Sequence, residues 1–203
     1  MKKTPLFILS LALSAGLLAG GDAKAVKADA ASAARALKAA EGALLVVAGD
    51  STLHKWKANA TELKIEAELS KPGAVLAAVQ AQGLNKLELV AQAGGLKSEE
   101  GKSMDKNMHK AMNVKEHPEI RFSLQSYELK DGVVAAAGQL SIHGQTRDVV
   151  LPGSVTAKAG GVNVKGSYGL KMSDYGIKPP VMMMGTIRVA DALTISYDFD
   201  LLP

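Results

Sequence analysis

An alternation of apolar and polar residues with a period of two runs through most of this chain and confines it to β structure. In the closing segment Leu193, Ile195, Tyr197, Phe199 and Leu201 alternate with Thr194, Ser196, Asp198 and Asp200. Successive strand side chains point to opposite faces, so such a segment has one apolar face and one wet face. The pattern recurs at Leu63, Ile65, Ala67 and Leu69, at Ile120, Phe122 and Leu124, and at Val162, Val164, Tyr168, Leu170 and Met172. Turn signals fall between these runs at Asp131-Gly132, His143-Gly144, Gly160-Gly161 and Asp174-Tyr175-Gly176. Counting such segments gives about eight strands joined mostly by short turns, so neighbours should pair antiparallel. A single sheet with one apolar face must fold over on itself: closure into a barrel or a sandwich hides that face, and the barrel also removes the exposed edges. The expected fold is all-β with about eight antiparallel strands, and of the two closures the barrel is the one adopted here.

Two stretches interrupt this pattern with helical signals. Residues 72–82 read as a short helix opened by Pro72 and followed by Gly83. Ser103 is placed to cap a helix over residues 104–114, whose Met104, Met108, Ala111 and Met112 share one face. Upstream, residues 1–25 have the pattern of a cleavable export signal. Met1-Lys2-Lys3 gives a positive start, and residues 4–20 are apolar but too short and too interrupted by Gly and Ala to span a bilayer. Ala23-Lys24-Ala25 fits a cut after Ala25, and Gly21 stands where a lipidated protein would need Cys. The expected location is periplasmic, with an extracellular fate left open. Residues 26–43 are Ala-rich with scattered charges and predict a helical spacer, which would start the barrel domain at residue 44.

Charge narrows the function classes. The chain has 24 Lys and Arg against 20 Asp and Glu, and removing residues 1–25 leaves 21 against 19. A nucleic-acid binder would show a larger, clustered basic excess, so that class is set aside. The chain contains no Cys, so the fold must be stable by burial alone. His54, His109, His117 and His143 lie in no tight ligand spacing, so no metal and no cofactor is assigned. Nucleophile elbows and Gly-rich phosphate loops are likewise absent from the sequence, and the carboxylates sit on outward registers. The expectation is a binding protein and not an enzyme. The alternative is histidine-dependent metal or haem binding, or an enzyme acting on an apolar substrate with His54 or His143 as proton carrier. Soft Cu(I) binding by the Met182-Met183-Met184 run is a further variant of it.

Inward registers mix large residues with Ala58, Ala60, Ala67, Ala91, Ala136, Gly138, Ala157 and Gly166. A barrel of this size can fill its lumen with side chains or hold one ligand, and small lining favours a cavity. With few titratable groups facing in, such a cavity would hold its ligand by apolar contact and shape, which suits a lipid or isoprenoid chain. Trp56, Phe122, Leu140, Tyr168, Tyr197 and Phe199 are the candidate lining residues from the strands, each with a plain core role as the competing reading. Met108 and Met112 join them from the helix as an adaptable lid or as simple packing, and Met183 from the Pro179–Met184 loop as a mouth residue, with burial of that loop against the helix as the competing reading.

Several motifs occur together in a fixed order: Ser51-Thr52-Leu53-His54-Lys55-Trp56, Met104-Asp105-Lys106-Asn107-Met108, His117-Pro118-Glu119-Ile120-Arg121-Phe122, Gly138-Gln139-Leu140-Ser141-Ile142-His143-Gly144-Gln145-Thr146-Arg147 and Met172-Ser173-Asp174-Tyr175-Gly176-Ile177. With the closing strand, this set resembles the YceI-like family of exported lipid- and polyisoprenoid-binding proteins. The resemblance covers roughly residues 44–203. It implies an eight-stranded lipocalin-like barrel with a helix near one end, and a long apolar tunnel for a polyisoprenoid or similar long-chain lipid. Lys55 departs from the family pattern, standing where relatives often place an acid. Transient membrane contact and a homodimer both remain open on the sequence.

Overall fold

The structure is a computed structural model and describes residues 34–203. The expected export signal and the first part of the Ala-rich stretch therefore lie outside the described residues. The strands are β1 (Arg35–Ala39), β2 (Leu44–Ser51), β3 (Trp56–Ala60), β4 (Leu63–Leu69), β5 (Leu84–Gln92), β6 (Leu96–Ser98), β7 (Glu119–Lys130), β8 (Val133–Ile142), β9 (Gln145–Lys158), β10 (Gly161–Lys171), β11 (Val181–Met182) and β12 (Ile187–Leu202). Two α-helices accompany them, α1 (Val75–Gln80) and α2 (Lys102–Ala111).

The order β1-β4-β5-β7-β8-β9-β10-β12 returns to its start, because β12 also pairs with β1 through Leu201 and Leu202. This is a closed antiparallel barrel of eight strands, the architecture that the alternation predicts. The remaining short strands lengthen its walls. After a bend at residues 40–43, β1 gives way to β2, while β3 leads into β4 and β5 into β6. β12 is 16 residues long and can therefore pair with β1 at one end and with β2 over the rest of its length. Asp131 and Gly132 (φ 51° and 81°) and His143 and Gly144 (φ 51° and 73°) make two-residue turns with positive φ throughout. That geometry matches the twist of the flanking strands and fixes the β7–β8 and β8–β9 registers.

Four local expectations need correction. Composition predicts helix for residues 35–39, but they form β1, with Leu37 1% exposed. Helix propensity is a weak prior, and here pairing both neighbours to close the barrel edge outweighs it. The first helix is shorter than residues 72–82, because it starts after Ala74, which is extended (φ −63°, ψ 144°). The second starts after Gly101 (φ 90°), so Ser103 lies inside the helix and makes no cap hydrogen bond. Ala157, expected inside the barrel, is exposed near the end of β9.

The two helices sit at opposite ends of the barrel. α1 buries Val75, Ala78 and Val79 and touches both β4 and β10, so it crosses the end where β7 meets β8. Tyr127 of β7 fastens it there: the hydroxyl donates to the Val79 carbonyl (2.6 Å) and accepts from the Leu84 N–H (3.3 Å). At the other end β6 pairs only with β3, and α2 covers its free edge. The Ser98 N–H donates to Asp105 Oδ1 (2.6 Å), and His109 Nε2 donates to the Leu96 carbonyl (2.9 Å). Edge groups that would otherwise be unpaired are thus satisfied by helix side chains.

Candidate functional site

Inward side chains of the strands form two core clusters stacked along the barrel axis, and each encloses a cavity. The cavity at the α2 end has a volume of about 70 Å³. Its walls include Trp56, Met104, Met108, Met112, Met172 and Met182, with Asn107 as one of its few polar residues. The cavity at the α1 end is also about 70 Å³ and is walled by Val79, Phe122, Tyr127, Val155, Tyr197, Phe199 and other aliphatic residues. No Asp, Glu, Lys, Arg or His lines either one. At 10–15 Å³ per water, each has room for roughly five waters.

The two cavities share no lining residue, and a waist of side chains separates them. Ile120 faces the α2 cavity and Phe122, two residues on along β7, faces the α1 cavity; Ile195 and Tyr197 divide in the same way on β12. Glycine makes the waist possible. A Cβ on Gly138 would lie 2.8 Å from the Phe122 ring and 2.3 Å from the Ser123 carbonyl. At Gly166 a Cβ would lie 2.5 Å from the Tyr197 hydroxyl. Small residues on β8 and β10 therefore hold space for aromatic rings arriving from β7 and β12. The Tyr197 hydroxyl donates to the Pro152 carbonyl (2.6 Å), and burial pushes its pKa up to about 12.

The structure sorts the sequence-predicted residues by position. Trp56, Met108 and Met112 line the α2 cavity, and Phe122, Tyr197 and Phe199 line the α1 cavity. Leu140 is buried in the core between Phe122 and Ile142 but borders neither cavity. Tyr168 is half-buried, packs on the α2-end core and borders an outer groove with Arg147 and Asp174. Met183 departs most from a lining role: it is 73% exposed, and its neighbour Met182 faces the cavity instead. The reason is local backbone. Met183 and Met184 both adopt the left-handed region (φ 50° and 53°), which turns the chain outward. Asn107 was missed as a lining residue, although it shares the helix face of Met104, Met108 and Ala111 by its three- and four-residue spacing.

The four histidines do not form one group. His54 is exposed beside Glu100 (3.8 Å), and His109 serves the β6 edge. His117 and His143 meet edge to face with ring centroids 4.7 Å apart, and His143 Nδ1 donates to the Tyr175 carbonyl (3.2 Å). Among the described residues no group of three or more His, Cys, Asp or Glu side chains is placed to hold a metal ion.

A meander barrel closed on itself, with an apolar lumen and a helix over each end, is a lipocalin-like barrel protein. The chain belongs to the YceI-like family, whose domain matches residues 36–201. Solved structures share its fold at low identity. Burkholderia cenocepacia BcnA superposes with a TM-score of 0.63 at 13% identity, covering 78% of this chain and 95% of that one. A polyisoprenoid binding domain from Saccharophagus degradans gives 0.60 at 10% identity, with 82% and 97% covered. The Campylobacter jejuni YCEI protein gives 0.51 at 16% identity, with 70% and 83% covered. No curated protein sequence matches the chain.

Proposed function

We propose that this protein binds and carries a polyisoprenoid or similar amphiphilic chain lipid within its barrel, and does no catalysis. The observation that carries this reading is the pair of uncharged, apolar-walled cavities in line along one lumen. Removing a chain from water contributes about 25 cal/mol per Å² of apolar surface, before the costs of ordering it. A long chain exceeds either cavity alone, so it threads the Phe122–Tyr197 waist and gains further room as the unbranched methionine side chains of the α2 end rearrange. The Saccharophagus degradans neighbour, described as a polyisoprenoid binding domain, supports the same ligand class.

Uptake would occur at the α2 end. Leu53, Val181, Met183 and Met184 are all exposed there, and their loops are tied together by the Thr52 hydroxyl donating to the Thr186 carbonyl (3.0 Å). Exposed apolar residues held together at a cavity mouth suit transient contact with a membrane. Periplasmic location, after export and cleavage behind Ala25, accords with a carrier that meets membrane surfaces. The test is solvent extraction and mass spectrometry of the full chain expressed with its own leader. A stoichiometric chain lipid is expected; protein that carries none and takes up no added isoprenoid would contradict the proposal.

A further inference from the structure

Trp56 is the single tryptophan of the chain and is 6% exposed. Its Nε1–H is buried with no hydrogen-bond partner. The other such atoms among the described residues belong to Arg35, and of these two residues only Trp56 lines a cavity. An unpaired buried donor is costly, whereas the lumen's other polar groups show what matching looks like. At the α1 end the Tyr127 hydroxyl bonds Val79 and Leu84, and the Tyr197 hydroxyl bonds Pro152. The indole is also held in place: a Cβ on Gly49 would lie 2.4 Å from its ring, so the ring rests directly on the β2 backbone. Asn107 lines the same cavity, and its amide donates only to the Met182 sulfur (3.1 Å), a weak acceptor.

Resting on the carrier reading, we infer that the α2 cavity recognises the polar end of its ligand as a neutral hydrogen-bond acceptor. Trp56 Nε1–H supplies the donor and the Asn107 amide a second polar contact. The ligand class is then a chain with an uncharged carbonyl-type oxygen. An ionised head is disfavoured, because no cation lines the cavity and burying an unpaired charge is far more costly than burying a neutral acceptor. An oxygen-free hydrocarbon would leave the indole donor unpaired.

The test compares three probes of similar chain length, methyl oleate, oleate and 1-octadecene, by displacement of diphenylhexatriene from the full chain at pH 8. Methyl oleate should bind roughly tenfold tighter than 1-octadecene, the ratio expected of one hydrogen bond to a buried donor, and tighter than oleate. Trp56→Phe should erase the methyl oleate advantage over 1-octadecene, read as the ratio of the two affinities in the variant, so that any change in cavity packing is shared by both probes. In the wild-type protein the lone indole ¹H–¹⁵N resonance should move downfield with methyl oleate and not with 1-octadecene, a readout that needs no variant. The inference is overturned if oleate binds best, if the ester advantage survives Trp56→Phe, or if the indole resonance responds equally to both neutral probes. Displacement by none of the three would overturn the carrier reading itself, and this inference with it.

Discussion

The two ends of the lumen enclose equal volumes in different materials. Five methionines border the α2 cavity and none borders the α1 cavity, which is walled by Val, Leu, Phe and Tyr on strands and by Val79 of α1. Thioether chains are unbranched and adaptable, whereas β-branched and aromatic side chains have few rotamers to offer. The walls differ in the same sense. At the α1 end the barrel is closed by β1 and the helix is fastened by Tyr127. At the α2 end a helix stands in for strand pairing beyond the three residues of β6. One end is built to keep its shape and the other to change it, a division suited to a container with a fixed base and a yielding mouth.

Variants at the waist should have the largest effect. Gly138→Val drives a side chain into the Ser123 carbonyl and the Phe122 ring, and should cost about 4 kcal/mol or more, read as loss of the folded fraction in denaturant titration. A folded Gly138→Val protein with native stability would remove the waist from the account. Next comes a contrast between the ends. Leu201→Ala, at a residue 2% exposed in the α1 cavity wall, should cost about 2–5 kcal/mol, while Met108→Leu in the α2 wall should cost less than about 1.5 kcal/mol. Equal costs for the two would break the proposed difference in stiffness.

Tyr127→Phe sharpens the same contrast at smaller amplitude. It removes the Tyr127 hydroxyl from the Leu84 N–H and from the Val79 carbonyl, which keeps the Gln82 N–H (3.0 Å), and should cost about 1 kcal/mol with earlier hydrogen exchange in α1 than in α2. Alkali acts on the fixed end as well. The Tyr197 pKa is raised from 10.0 to about 12 by burial, so the neutral hydroxyl is the form that the fold favours. Its contribution is fully present below pH 10 and is lost as pH rises through the interval to about 12, which pH-dependent thermal unfolding should show for the wild type and less for Tyr197→Phe. The smallest stability effect is expected at the rim. Met183→Ser with Met184→Ser changes only exposed side chains and should stay within about 0.5 kcal/mol of wild type while slowing lipid uptake from vesicles.

The barrel was legible in part: alternation in β4, β7, β10 and β12 and the two-residue turns restrict the chain to an antiparallel barrel or sandwich, and the family motifs favour the barrel. β1 was not legible. Its Arg-Ala-Leu-Lys-Ala sequence carries a single large apolar residue, and only the two neighbouring strands, distant in sequence, determine its pairing. The lining was half legible: period two places Phe122, Tyr197 and Phe199 inward, and the helix period does the same for Met108 and Met112. Nothing in the sequence separates Met182 from Met183, because left-handed backbone at consecutive methionines has no compositional signal. The unmatched donor of Trp56 was beyond reach too, since a hydrogen-bond deficit is a property of the packed surroundings and not of the residue.

The central claim is that an acyl or isoprenoid chain lies along the lumen, and Trp56 offers a direct probe of it. Quenching of its emission by fatty esters brominated at successive carbons should be strong at one position along the chain and fall away on either side, as for a chain held in one register. Quenching that is absent, or the same at every bromine position, would contradict the account.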